Sequence, residues 1–372
     1  MISRLKILFA GLDKVLIFTT IAISLLGLFT LYSYSGNNYF FNRQIVWLLV
    51  SIAFMFIAAV PDYRFLRFGN SAIFLYLITF LLLVAVMFLG EVTLGARSRF
   101  DLGLFFIQPS DPAKLVLIIL LSKYFAKRHE MIGDFSHIII SGIYAALFFV
   151  PVLLQPDFGS AAILFSIWFG LVFVSGINIK HILWVFTFIV VAAFILWNFV
   201  FIDYQKDRIK TFLNPLSDIQ GAGYNAYQST VAVGSGQLFG KGIGFGTQSK
   251  LLFLPEYETD FIFAAFAEEW GLFGVVLLFL LFFILFFRIL KIATESLTNF
   301  ERLFAAGVCI FFIAHFFIHV GINIGLLPVT GTTIPFLSYG GSHLLTEFIA
   351  IGMIMGMRNQ GGLKLKSKDL FD

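Results

Sequence analysis

Long apolar runs, broken by short polar stretches, organise the chain. A membrane-spanning helix needs about 20 mostly apolar residues. Runs of that character lie near 15–34, 45–60, 72–90, 112–125, 138–154, 160–176, 182–202, 261–288, 304–325 and 344–357. They predict ten helices, of which the fourth and tenth are short and carry ions, Lys114 and Glu347. The first run has cationic flanks, but Leu16 to Leu31 is longer than the apolar stretch of a secretory signal, and no small-x-small cleavage site follows. It is read as a retained first helix. The expected fold is an all-α polytopic membrane protein forming one integral membrane domain over 1–372, with a tail over 358–372.

Composition removes the alternatives. Of 372 residues, 59% are hydrophobic and 12% charged, and the mean hydropathy is +0.95. A soluble domain carries roughly 25% charged residues, and a water-soluble fold of this length has no way to hide so much apolar surface. The single cysteine, Cys309, excludes a disulfide framework and a cysteine metal cluster.

Charge placement sets the orientation. With the N-terminus in the cytoplasm, 16 of the 25 Lys and Arg residues fall in inner segments and 9 in outer ones, so both termini are expected in the cytoplasm. Inner loops are short and basic. The segment 203–259 is instead long, Gly-rich and outward-facing, and loops of that length are usually functional or disordered. Leu251, Leu252, Phe253 and Pro255 among its charges favour an ordered, functional loop. No internal repeat relates the two halves, as it does in many transporters.

Candidate chemistry lies at the outer helix ends. A charge within a membrane helix is costly and marks a functional site by default, which singles out Asp111, Asp157, Asp260, Glu268, Glu269 and Glu347. In Asp111-Pro112-Ala113-Lys114 a helix cap with a local ion pair explains Asp111. It explains Lys114 badly, because a lysine at a helix N-terminus opposes the dipole; anion binding accounts for both. Asp157, in Gln155-Pro156-Asp157-Phe158-Gly159-Ser160, is sufficiently explained as a cap. Asp260 ends the long loop where an apolar helix begins, so capping competes with a general-base role.

The run Gly240-Lys241-Gly242-Ile243-Gly244-Phe245-Gly246-Thr247-Gln248 lacks the Walker spacing. Its N–H groups and Lys241 suit a pyrophosphate, while attraction to anionic headgroups is the competing reading. Arg97 and Arg99 add cations in another outer loop. The dispersed charges do not fit nucleic acid. His315 and His319 lack an evident third metal ligand, and with Asn323 they read as a packing stripe; no metal site is expected. Pro328, Gly331, Pro335 and Ser338-Tyr339-Gly340-Gly341-Ser342 mark a bent, re-entrant segment, which survives at membrane depth only when packed in protein or lining a cavity.

These outer segments, taken together, resemble the SEDS family (shape, elongation, division and sporulation proteins). The matching pieces are Gly95-Ala96-Arg97, Asp101-Leu102-Gly103, Gln108 to Lys114, Gln155 to Gly159, Gly221 to Tyr224, Gln228-Ser229, Gly234-Ser235-Gly236, Gly240-Lys241-Gly242 and Gly246-Thr247-Gln248. Thr259 to Phe263, Glu268-Glu269, Leu327 to Gly331 and Ser338 to Ser342 complete the set. They run in order from the first helix to about Arg358, and ten spans is the family's number. The Gly-Lys-Gly and Gly-Thr-Gln pieces look RodA-like.

The resemblance implies a peptidoglycan glycosyltransferase that polymerises lipid II at the outer face of a bacterial cytoplasmic membrane, releases undecaprenyl pyrophosphate, and serves cell elongation and shape. It implies Asp260 as the catalytic base, and Lys114 and Asp111 as functional residues of the fourth helix. Arg97, Arg99, Asp157, Lys241, Gln248 and Ser338 are the further candidates for substrate contact. A class B penicillin-binding protein is the implied partner, since the Ser110 and Lys114 spacing makes no acylation site. No cofactor is evident, and divalent-ion dependence is left open. Ser98 and Arg99 stand where the family has Arg-Trp, Asp111 where it has Glu, Glu258 where it has His, and Asn225 where it has Gln. A lipid-linked sugar flippase and a non-catalytic scaffold are the competing classes.

Overall fold

The computed structural model describes residues 11–34, 39–93, 96–101, 103, 106–128, 135–176, 223–251, 253–254 and 256–368, with isolated positions and one π-helical turn between 181 and 212. In chain order the helices are α1 (Lys14–Tyr34), α2 (Tyr39–Ala58), α3 (Arg64–Phe68), α4 (Ser71–Leu89), α5 (Ser110–Lys127), α6 (Phe135–Leu154), α7 (Phe158–Val174), α8 (Tyr224–Ser235), α9 (Thr247–Lys250), α10 (Ile262–Glu295), α11 (Asn299–Asn323) and α12 (Gly341–Lys368). Nine of the ten predicted runs fall on helices of this set. The run 182–202 lies largely outside the described residues. Six helices, α1, α2, α4, α6, α10 and α11, are long and apolar enough to cross a membrane, and α7 is a shorter apolar helix.

Burial separates two kinds of helix. On α1, α2, α4 and α6, aromatic and aliphatic side chains such as Phe18, Leu49, Phe74 and Ile143 stay exposed, as helices facing lipid require. Helix α5 is buried nearly all round, from Ser110 to Phe125, against α4, α7 and α11. A helix buried on every side tolerates ions that a lipid-facing one rejects, which is why α5 carries Lys114 despite its apolar body. Helix α12 packs along α2, and α11 lies between α5, α7 and α10.

Helix α10 departs from the single span expected over 261–288. Gly271 sits inside it at φ +63°, breaking it into a short first segment and a long second one. The residues from Ile262 to Glu269 are all buried, whereas Leu272, Phe273 and Val276 face outward. Helical bonding lost at the kink is replaced from the loop after α8: Leu272 N–H donates to Gln237 O (2.9 Å) and Phe273 N–H to Leu238 O (3.2 Å). A break of this kind needs a left-handed residue and new partners for the freed amides. Gly271 supplies the first and the loop the second.

Two further differences concern the loops. The predicted loop 203–259 contains α8, a helix of 12 residues, and the single turn α9. Between α4 and α5 lies an antiparallel three-stranded sheet, β1 (Glu91–Thr93), β2 (Ala96–Asp101) and β3 (Phe106–Ile107). At the opposite end of the bundle, Asp13 accepts from Arg288 Nε at 2.7 Å and pairs with Arg358, which also reaches Glu295. The start of α1 and the ends of α10 and α12 are thereby tied together.

Candidate active site

Four helix starts meet at the other end of the bundle. Helix α5 begins at Ser110 with Pro109 in the cap position, two residues earlier than the sequence suggests, because Asp111 N–H already donates to Gln108 O (3.0 Å) and Ala113 N–H to Pro109 O (3.2 Å). Asp111 therefore lies inside the first turn, not at the cap, and its Oδ1 accepts from Lys114 Nζ at 3.1 Å. Both side chains are buried. Asp157 caps α7 as expected, accepting from Ser160 N–H at 2.9 Å. Its second oxygen accepts from Gln108 Nε2 at 3.0 Å, and the Gln108 backbone meets Ser342 Oγ at the start of α12. One glutamine thus joins the starts of α5, α7 and α12.

Helix α10 supplies the fourth start. Phe261 holds the cap position, and the N–H of Ala264 is taken by Asn323 Oδ1 from α11 at 3.0 Å. The same amide donates to Asp260 O (3.0 Å). Asparagine from a neighbouring helix thus serves the helix end for which Asp260 was the sequence candidate. Asp260 is half-buried, and its Oδ2 lies 3.5 Å from where a Cβ on Gly331 would stand. Gly331 is at φ +71°, so a side chain there would strain the backbone of the loop beside the carboxylate. Gly159, in the first turn of α7, abuts the other side of the same loop, at Gly331 and Thr332. Helix N-termini carry partial positive charge and free N–H groups, so this end of the bundle is suited to an anion.

The loop between α11 and α12 runs bent, with its second part buried at 332 and 334–338, and side chains from three helices satisfy the backbone there. His315 and His319 bond through Nδ1 to Thr333 O (2.9 Å) and Thr332 O (2.7 Å). Gln44 of α2 donates to Ser338 O (3.1 Å). Glu347 Oε2 accepts from Phe336 N–H (2.8 Å). Ser338 Oγ donates to Thr259 O at 2.9 Å and accepts from Ile334 N–H at 2.9 Å, which fastens the loop to the residue beside Asp260. The histidine stripe therefore has the packing role its spacing suggests.

The sequence candidates include Glu347 but miss its neighbour His343. His343 Nε2 stands 2.8 Å from Glu347 Oε1 and its Nδ1 stands 3.6 Å from Asp111 Oδ1, close ionic contacts without the alignment of hydrogen bonds. His343 and Glu347 are one turn apart on α12, a spacing that signals a pair. The contact to Asp111 joins α12 to α5 and has no local signature.

Lys241 and Gln248 are placed elsewhere. Lys241 Nζ donates to Glu268 Oε1 at 2.6 Å, and the same carboxylate accepts from Thr247 N–H (2.9 Å), Thr247 Oγ1 (3.1 Å) and Gln248 N–H (3.1 Å). Glu269 accepts from Gly244 N–H (2.6 Å) and Ser33 Oγ of α1 (2.8 Å). The glycine-run amides that a phosphate would use at 244, 247 and 248 are thus occupied by carboxylates of α10. Arg97 and Arg99 point outward from β2, on either side of buried Ser98. Among the described residues no group of three His, Cys, Asp or Glu side chains is arranged to hold a metal ion.

Comparison with known proteins places this arrangement. The profile of the FtsW/RodA/SpoVE cell cycle proteins matches residues 6–361. Peptidoglycan glycosyltransferase MrdB of Escherichia coli K12 is 36% identical over 362 residues, 96% of each chain. Stage V sporulation protein E of Bacillus subtilis 168 is 33% identical over 93% of this chain and 96% of that protein. The fold is similar to the crystal structure of Thermus thermophilus rod shape determining protein RodA, with TM-score 0.71, 28% identity and coverage of 94% and 97%. It is also similar to a chain from a peptidoglycan synthase complex that coordinates polymerization and crosslinking, with TM-score 0.81, 28% identity and coverage of 94% and 98%. The chain belongs to the FtsW/RodA/SpoVE family, the SEDS proteins.

Proposed function

We propose that the chain is a peptidoglycan glycosyltransferase of the cell-elongation type, which polymerises lipid II and works beside a class B penicillin-binding protein. The reading is supported by the MrdB likeness across almost the whole chain and by the likeness to a synthase-complex chain.

The observation that carries the mechanism is the meeting of four helix starts at one end of the bundle, the end that also holds a buried lysine and a half-buried carboxylate. Asp260 takes the proton of the acceptor sugar hydroxyl, whose oxygen attacks the anomeric carbon of the donor. The bond from that carbon to the pyrophosphate oxygen breaks, and undecaprenyl pyrophosphate leaves with the electron pair. Lys114 and the N–H groups of the helix starts stabilise the charge that develops on the leaving group. Asp111 and Asp157 hold the lysine and the α7 start in place, and Arg97 and Arg99 attract the anionic substrate from the rim. Lys241, Gln248 and Ser338 support the site by fastening loops. The pyrophosphate already activates the donor, so the scheme needs no nucleotide or redox cofactor.

The site end faces outward in this scheme, and the Asp13, Arg288 and Arg358 end faces the cytoplasm with both termini, in line with the bias of Lys and Arg between loops. The test supplies purified protein, with and without its partner, with lipid II and resolves glycan polymer on a gel. Polymer from the wild type and none from Asp260→Asn is expected. Full activity of Asp260→Asn overturns the base assignment, and no polymer under any partner condition turns the reading to a flippase or scaffold.

A further inference from the structure

The mechanism leaves two buried ionisable groups unused, His343 and Glu347, and they occupy the joint between its two halves. On one side His343 Nδ1 faces Asp111 Oδ1, the oxygen that also holds Lys114. On the other, Nε2 faces Glu347 Oε1, while Glu347 Oε2 holds the backbone of Phe336 in the loop that passes Asp260. Phe336 sits at φ +62°, a conformation that a non-glycine residue keeps only when its surroundings impose it. Glu347 is one of those surroundings. A carboxylate oxygen opposite each ring nitrogen suits a doubly protonated imidazole, since only that form has two donors. Lys114, Asp111, His343 and Glu347 then form a buried row of two positive and two negative charges. An unbalanced charge at this depth is far more costly than a balanced set.

We infer that His343, held by Glu347, is a positioning residue for polymerisation: it shares Asp111 with Lys114 and so keeps the ammonium available to an anionic leaving group. A carboxylate shared between two cations neutralises each only in part. Without His343, Asp111 belongs to Lys114 alone, and Glu347 is left unbalanced. The inference rests on the roles given above to Lys114 and Asp260.

The test compares lipid II polymerisation by wild type, Asp260→Asn, His343→Gln, Glu347→Gln and the double variant H343Q/E347Q, with melting in detergent as the folding control. Glutamine at 347 still accepts from Phe336 N–H. Each single change is expected to lower kcat by about tenfold or more, because each removes or releases the cation that shares Asp111 with Lys114. The double variant restores the charge balance but not that sharing, so its melting temperature is expected to recover while kcat stays about tenfold down. Purely structural roles would bring kcat back together with the melting temperature, and that result overturns the inference. Wild-type rates from both single variants, with Asp260→Asn inactive, overturn the inference alone. An active Asp260→Asn removes the site reading, and the inference falls with it. Where His343→Gln fails to fold, a folded double variant with low kcat still supports the inference, and a folded, fully active one opposes it.

Discussion

Two lysines in this molecule sit beside buried carboxylates, and their surroundings give them different work. Lys241 meets Glu268 on an oxygen that two backbone N–H groups and a threonine hydroxyl also reach, and the lysine side chain is partly exposed. Its charge is consumed in holding the glycine-rich loop to the kinked start of α10. Lys114 is buried, shares Asp111 with His343, and lies just past the first turn of a helix whose dipole opposes it. A cation kept in an unfavourable place and only partly neutralised is available to a ligand; one saturated by a multidentate clamp is not. Residue type and sequence neighbourhood made the two look alike, and the partners distinguish them.

That contrast can be broken in order of expected effect. Asp260→Asn is expected to lower polymerisation by about 10²–10⁴-fold, the range for loss of a general base, with the protein inserted and folded by its melting curve. Lys114→Met should follow at about 10²-fold, the scale for one lost electrostatic contact to a developing anion. Lys241→Met should stay within about fivefold in rate, since Glu268 keeps its other donors at a cost of about 1 kcal/mol. Its signature is faster proteolytic nicking within 236–250. Equal losses from Lys114→Met and Lys241→Met would erase the distinction.

Two smaller effects test the ends of the bundle through pH. Burial raises the Asp13 carboxyl, but the hydrogen bonds and charges of Arg288, Leu16 N–H and Arg358 outweigh it and hold the group below its ordinary 3.8. A depressed carboxyl gives stability that is present above the unfolded value and lost as pH falls through the folded one. Asp13→Asn is therefore expected to cost about 2 kcal/mol near neutrality, with the difference in melting temperature closing in acid. Glu258 is the opposite case: burial, with the like charge of Glu256, holds it above its ordinary 4.5. Its ionisation costs stability as pH rises, so Glu258→Gln should raise the melting temperature slightly near neutrality and leave it unchanged in acid.

The spans and the helix starts at Asp111, Asp157 and Asp260 were legible because both signals are local. Twenty apolar residues and a Pro-Asp pair declare themselves without reference to the rest of the chain. Features that depend on distant partners were not. The break at Gly271 is supported by residues 237 and 238, the α10 end is served by Asn323, and His343 meets Asp111 across 232 positions. The glycine run read as a phosphate cradle for the same reason: its amides do bind oxygen anions, but the anions are Glu268 and Glu269. The start expected at Asp111 shifted by two residues because Gln108 and Pro109 already carry helical bonds.

The Asp13 cluster also sets a timetable for biogenesis. Its carboxylate leaves the ribosome 345 positions before its bonded partner Arg358. At roughly 5–20 residues per second that is a wait on the order of 20–70 s. During it the Asp13 end of the first helix lacks the Arg358 part of its pairing. A chain truncated before α12 would leave that end half-paired, which gives membrane quality control a chemical mark for incomplete molecules.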